Sequence, residues 1–201
     1  FDPVRFITNH SSGKMGYAVA TMARRRGADV TLVSGPTTLA IPGGVQYISV
    51  TTAREMRDAV MENLEKATVV IKAAAVADYR PASRSDSKIK KTGGVLEIAL
   101  ERNPDIIEEI GKNKGQRVLV GFAMETDNLI ENATAKLTKK NMDLIIANDL
   151  NQEGAGFRTD TNVITILDRN GGKENLPLMN KMEVADRILD RVKKIIEEQG
   201  R

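Results

Sequence analysis

The sequence predicts a Rossmann-like, three-layer α/β fold on a mostly parallel central sheet, with a C-terminal β-hairpin excursion. Three observations carry this. Short runs rich in Val and Ile alternate with stretches of helical period, the grammar of βαβ units. The run from Ala67 to Ala75 is apolar without alternation, as a strand covered on both faces must be. Further on, two short strand-like runs flank Asn170-Gly171, a strong hairpin signal.

Taken in order, Val4 to Thr8 reads as a first strand and Asn9 to Gly16 as a polar turn. Lys14 to Arg26 reads as a helix, apolar at Met15, Ala18, Val19, Met22 and Ala23, with Gly27 closing it. Asp29 to Val33 and Val45 to Val50 are the next strands. Thr52 with Glu55 three residues on forms a capping box for a helix to about Lys66. Ala67 to Ala75 follows as the buried strand. Ala77 to Gly94 is a long polar loop, a length that is usually functional or disordered. Val95 to Leu100 is a strand, Pro104 to Lys112 a short helix with Pro at its start, and Arg117 to Ala123 a strand. Asn128 to Lys140 is a helix, and Met142 to Ala147 a strand ending in Asn148-Asp149. The hairpin spans about 162–178, and an amphipathic helix about 181–199. No linker or internal repeat interrupts residues 1–201, so they read as one domain.

Composition bounds the function. The chain has no Cys, which excludes disulfides, thiolate catalysis and Cys-ligated metals and fits a reducing, cytoplasmic setting. Lys and Arg exceed Asp and Glu by 30 to 27, too small an excess for a nucleic-acid-binding polycation. No apolar run approaches the ~20 residues of a membrane span. With three percent aromatics and no Trp, the core must be built from Ile, Val, Leu, Ala and Met. The opening at Phe1, without Met, reads as a segment of a longer polypeptide.

Four features carry chemistry. The turn Asn9-His10-Ser11-Ser12-Gly13-Lys14 leads into a helix, and free N–H groups beside small residues suit anionic oxygens. It is neither a Walker A loop nor G-x-G-x-x-G, and a plain Ser-capped turn would look the same. The small residues Ala74 and Ala75, ending a buried strand, leave room for a base or ribose, with Asp78 able to accept from hydroxyls; close helix packing would also use such alanines. Lys88-Ile89-Lys90-Lys91 could fold over a triphosphate, or be a solvated basic loop. Lys136 and Lys140 end a helix, where they could equally complement its dipole. No metal-ligand cluster is present, so any Mg²⁺ would arrive on nucleotide phosphates.

Read together, these segments resemble the phosphopantothenate–cysteine ligase family. The resemblance rests on Asp2 to Gly16, Ala73 to Arg80, Lys88 to Lys91, Asn103-Pro104-Asp105-Ile106, Gly121 to Thr126 and Ala147-Asn148-Asp149, in that order along nearly the whole chain. It implies a two-step ligation. The carboxylate of 4′-phosphopantothenate attacks the α-phosphorus of a nucleoside triphosphate, and cysteine's amine then displaces the nucleoside monophosphate. Bacterial members use CTP and eukaryotic members mostly ATP; the bacterial-type text here implies CTP, with Mg²⁺. It also implies a homodimer and an upstream phosphopantothenoylcysteine decarboxylase domain. By residue matching, Asn9 orients the substrate carboxylate and acyl intermediate, and Lys88 stabilises developing charge. Ser11, Ser12 and Gly13 form the phosphate loop. Ala74, Ala75, Asp78, Pro104, Asp105, Ile106, Ile107, Phe122, Lys136 and Lys140 hold the nucleotide, with Phe122 on the base.

Two other readings compete. An NAD(P)-binding oxidoreductase would need G-x-G-x-x-G or a Tyr-x-x-x-Lys pair, and Tyr17, Tyr47 and Tyr79 have no Lys four residues on. A regulatory nucleotide-binding module would bind nucleotide without turnover.

Overall fold

The computed structural model describes residues 1–91, 93–125, 128–149 and 159–200, the side chains of Glu125 and Asp149 excepted. The chain order is α1 (Lys14–Arg25), β1 (Thr31–Ser34), β2 (Gln46–Ser49), α2 (Ala53–Leu64), β3 (Val69–Lys72), β4 (Tyr79–Pro81), β5 (Leu100–Arg102) and α3 (Ile106–Lys112). Then come β6 (Val118–Glu125), α4 (Leu129–Lys139), β7 (Leu144–Asp149), β8 (Thr161–Asp168), β9 (Lys173–Asn180) and α5 (Lys181–Glu198).

The main sheet has the order β3-β6-β7-β8-β9. Strands β3, β6 and β7 are parallel; β8 and β9 add the antiparallel hairpin that Asn170-Gly171 forecast. Asp168 shapes its turn, accepting from the N–H groups of Asn170 and Gly172, both at 2.9 Å. Strands β1 and β2 make a separate parallel pair, and β4 and β5 a short antiparallel ribbon.

Alternation along the strands sorts the core into two layers. Val118 and Val120 of β6, Leu144 and Ile146 of β7, and Ile164 and Ile166 of β8 pack with Val184, Ile188 and Val192 of α5; Met15 of α1 joins them. Leu119 and Ala123, with Ile145 and Ala147, pack instead with α2, α3 and α4 through Leu64, Ile106, Ile107, Ile110, Ala133 and Leu137. The expected three-layer arrangement is thus α1 and α5 on one face and α2 to α4 on the other. Each fully buried Ile or Leu contributes about 1.5–3 kcal/mol of apolar transfer.

The capping box at Thr52 is present: its Oγ1 accepts from Glu55 N at 3.1 Å, and Glu55 Oε2 accepts from Thr51 N and Thr52 N. Two expected strands differ. Residues 4–8 form no strand, because the Asp2 carboxylate takes the N–H groups of Val4 (2.9 Å) and Arg5 (2.8 Å) into a local turn, leaving Val4, Phe6 and Ile7 exposed. Val95 to Leu100 is irregular except at its end, where Leu100–Arg102 pairs with Tyr79–Pro81, inside the segment expected to be loop. Thr92 of that loop and Thr126 of the Gly121 motif lie outside the described residues.

Candidate active site

Most of the residues singled out in the sequence, Lys88 excepted, gather near the carboxyl end of β3, in two groups on opposite faces of the sheet. Strand β3 pairs with β6 only as far as Lys72 opposite Gly121, while β6 continues to Glu125. The chain beyond β3, residues 73–77, therefore leaves the sheet. Three side chains from other places capture its carbonyls: Lys72 Nζ donates to Ala74 O (3.0 Å), Asn9 Nδ2 to Val76 O (3.3 Å) and Asn103 Nδ2 to Ala77 O (2.8 Å). Asn103 N also donates to Asp78 O at 2.8 Å, tying the segment before α3 to this edge.

On the α1 face stands the turn Asn9 to Gly13. Gly13 caps α1 with φ +75°, a conformation side chains rarely adopt, and this starts the helix abruptly after two serines. Ser11 Oγ accepts from Gly13 N and Ser12 Oγ from Lys14 N, both at 3.4 Å. Thr37 Oγ1 donates to Ser12 O at 3.3 Å and steadies the turn from the β1–β2 connection. Gly16 lets α1 approach the edge strand: a Cβ there would stand 3.7 Å from Ala73 Cβ. Lys14 pairs with Asp160 at 2.7 Å, and that ammonium holds the Asp160 carboxyl below its usual range. Phe122, alternating with Val118 and Val120, packs on this face in the same layer as Met15.

On the α3–α4 face stand Lys72, Asp105, Lys136 and Lys140. Asp105 caps α3, accepting from Glu108 N at 3.1 Å, and pairs with the mostly buried Lys140 ammonium. Burial alone would raise the Asp105 carboxyl; the Lys140 ammonium and the Glu108 N–H outweigh it and hold it below its ordinary value. The Lys72 ammonium is pushed down by burial first and then by the neighbouring Lys136, with Asp105 and Asp78 acting in the opposite sense. This face thus concentrates cationic charge above small residues, with carboxylates orienting it.

Three sequence expectations land differently within this frame. Phe122 lies across the sheet from Lys136 and Lys140, so these residues do not surround one point as a single cluster. The side chains of Ile106 and Ile107 are core residues at 3% and 5% exposure, which leaves only their backbone to meet a ligand. Lys88 is exposed, and its neighbour Ile89 is bound to Asp2 and Arg5 instead of to either group.

Two residues here were given no site role by the sequence, although Asn148 lies in the Ala147-Asn148-Asp149 motif. Lys72 had a signal, a lysine ending the apolar run Val69-Val70-Ile71 of a buried strand. Asn148 is 4% exposed, and among the described residues its Oδ1 has no partner. It follows Ile146 by two positions, which places it on the Phe122 face.

The architecture and this edge define a class: a doubly wound α/β domain, of the kind that binds ligands outside the carboxyl ends of its parallel strands. Residues 1–196 match the DNA/pantothenate metabolism flavoprotein C-terminal domain, and the chain belongs to that family. It is 46% identical over 200 residues to the coenzyme A biosynthesis bifunctional protein CoaBC of Bacillus subtilis strain 168, covering 99% of this chain and 49% of that protein. It is 45% identical to CoaBC of Escherichia coli K12, covering 100% and 50% respectively. The chain thus spans about half the length of the curated relatives it matches. The crystal structure of the C-terminal domain of a CoaBC superposes with TM-score 0.84 at 44% identity, covering 98% of this chain and 89% of that one. The DNA/pantothenate metabolism flavoprotein of Streptococcus pneumoniae superposes with TM-score 0.82 at 26% identity, covering 96% and 93%.

Proposed function

We propose that this chain is a phosphopantothenate–cysteine ligase, joining 4′-phosphopantothenate to L-cysteine in coenzyme A biosynthesis with CTP as the activating nucleotide. The observation that carries this reading is the edge at residues 73–77. There an amide (Asn9) and a helix N-terminal turn stand on one face and a lysine group on the other, with the small residues 73–75 between them, in a chain of this family. In the first step a carboxylate oxygen attacks the α-phosphorus, the bond to the β-phosphate breaks, and pyrophosphate leaves. Asn9 is suited to orient that carboxylate, since an amide donates without competing as a nucleophile. Lys88 is suited to neutralise charge as pyrophosphate departs. The turn Ser11 to Gly13, at the N-terminus of α1, is suited to receive phosphate oxygens, which would take over the N–H groups that the two serine hydroxyls hold. Lys136 and Lys140, with Asp78 and Asp105, hold the other end of the nucleotide. In the second step cysteine's amine attacks the acyl carbon, the acyl–phosphate bond breaks, CMP leaves, and the amine's proton passes to solvent.

Among the described residues no group of three or more His, Asp or Glu side chains stands together to hold a metal. Mg²⁺ enters the proposal as an ion carried on phosphate oxygens, where it would neutralise the triphosphate. A cytoplasmic homodimer with a decarboxylase domain upstream completes the proposal; bifunctional relatives of twice the length support the upstream domain, and no helix among the described residues could cross a membrane.

The test is pyrophosphate release with CTP or ATP, with and without phosphopantothenate. The expected result is release that requires phosphopantothenate, prefers CTP, and is followed by CMP on adding cysteine. Release without phosphopantothenate, or nucleotide binding with no release, would overturn it.

A further inference from the structure

The carboxylate of Asp2 is enclosed, with none of its side-chain surface exposed. One oxygen accepts from the N–H groups of Val4 and Arg5. The other accepts from Arg5 Nε (2.9 Å), Arg5 Nη2 (2.5 Å) and, across 87 residues of sequence, from Ile89 N (3.2 Å). Arg5 Nη2 also donates to Ile89 O at 3.1 Å. Both backbone groups of Ile89 are therefore held by one ion pair, as a neighbouring strand would hold them. Arg5 in turn stacks over the Phe1 ring, its guanidinium 4.8 Å from the ring centre, and Phe1 O accepts from Ser85 N at 3.0 Å. Ser87 O accepts from Ser85 Oγ at 2.7 Å. Lys88 thus sits between two fixed points, Ser87 and Ile89, with its own side chain exposed.

We infer that Asp2 is a positioning residue for Lys88: with Arg5 it clasps the Ile89 peptide, so that the Lys88 ammonium is presented from a fixed backbone. This rests on the charge-stabilising role proposed for Lys88. The loop around it has no regular structure from residue 82 to 91. Holding such a loop in one conformation carries an entropic cost per residue, and a partly buried ion pair with backbone donors is a means of meeting it. The Arg5 guanidinium and the surrounding N–H groups keep the Asp2 carboxyl far below the usual carboxylate range, so the clasp stays closed throughout neutral pH. An asparagine at this position could not balance Arg5, and its NH₂ would face a backbone donor.

The experiment is a double-mutant cycle in ligase turnover with Asp2→Asn, Lys88→Gln and the pair. Asp2→Asn alone should lower kcat by about tenfold or more with nucleotide KM changed by less than about threefold, since the lost interaction acts in the transition state. In the Lys88→Gln background the same change should cost less than about twofold, because the residue it positions is gone. Losses that multiply would overturn the inference, as would full turnover in Asp2→Asn. Full turnover in Lys88→Gln would sink the role of Lys88 and the clasp together; impaired Lys88→Gln beside normal Asp2→Asn would sink the clasp alone. Amide hydrogen exchange on the same proteins should speed at Ile89 and leave β6 and β7 unchanged; faster exchange throughout the sheet would make Asp2 a purely structural residue. Should Asp2→Asn fail to fold, Ile89→Pro deletes the N–H that Asp2 captures and should reproduce the kcat loss; normal turnover there overturns the inference.

Discussion

Gly111→Ala should damage both the fold and the site, because α3 and the end of α4 meet at that residue. A Cβ built on Gly111 overlaps the Lys140 carbonyl oxygen and stands 3.0 Å from its carbon. The obstacle is backbone, so it cannot rotate away as a side chain tip would. Asn141 Nδ2 donates to Gly111 O at 2.9 Å and holds the two segments at this distance. Restoring contact requires a shift of about 1 Å or more in a close-packed region. Overpacking of this kind costs about 1–3 kcal/mol, and a backbone obstacle belongs at the upper end. Ala regains about 1 kcal/mol of helix propensity over Gly, leaving about 2 kcal/mol of net destabilisation. For a chain of this size that is a Tm lowered by about 4–8 °C. Lys140 carries both the carbonyl that is pushed and the ammonium that pairs with Asp105, so nucleotide affinity should fall as well. Thermal unfolding by circular dichroism and nucleotide titration by calorimetry measure the two effects. Gly43→Ala is the control, since a Cβ there meets nothing within 4 Å. Gly111→Ala melting with the control would refute the packing argument, and unchanged affinity would separate the α3–α4 contact from the site.

Further outcomes follow from the same geometry. Lys114 and Asp143 form a buried pair at 2.5 Å, at the end of the sheet opposite the site, and Asp143 also accepts from Leu119 N at 2.7 Å. Lys114→Met should cost about 3 kcal/mol by leaving a buried carboxylate short of its partner, with nucleotide affinity unchanged; chemical denaturation and titration check this. Asn9→Asp exchanges a donor on Val76 O for a carboxylate, so quenched-flow kinetics should show pyrophosphate release without cysteine-dependent turnover, and normal turnover would contradict the role given to Asn9. Lys72 has a folded-state pKa below its ordinary 10.5, because burial and then Lys136 disfavour the ammonium. The folded chain therefore releases this proton first as pH rises, and stability gains across the window between the folded value and 10.5. Lys72→Met should abolish that gain in urea unfolding followed through the alkaline range below 10.5 and should weaken nucleotide binding; an unchanged pH dependence would refute the sign.

Much of the fold was legible because its signals are local. The Thr52–Glu55 box, the Asn170-Gly171 turn and the spacing of Val184, Ile188 and Val192 each specify structure within a few residues. What failed was local in a different sense. Val4 to Ile7 has the composition of a strand, but the Asp2 side chain two positions earlier satisfies the donors a partner strand would need. The site was legible as a set of segments and not as an arrangement. Period-two alternation from Val118 and Val120 was enough to put Phe122 on the α5 face, yet nothing in the sequence put Lys136 on the other. The contact of Asp2 with Ile89 spans too much chain for any pattern to announce it.

The two-sided arrangement has a physical basis in where β3 stops. Had β3 continued alongside β6 past Gly121, its carbonyls would have paired in the sheet and closed the edge. Instead residues 73–77 are held by Lys72, Asn9 and Asn103, three side chains on three different segments. Each of these bonds fixes backbone at the edge while placing a polar group there, so the scaffold and the site are made by the same contacts. The ligation proposed for this chain would need a nucleotide bound near a carboxylate without either blocking the other. The edge of β3 offers two faces for that purpose: the amide and the helix turn stand on one side, and the lysines on the other. This is why Asn9, read first as a turn residue, and Lys72, read first as part of an apolar strand, carry more of the argument than the glycine-containing turn alone.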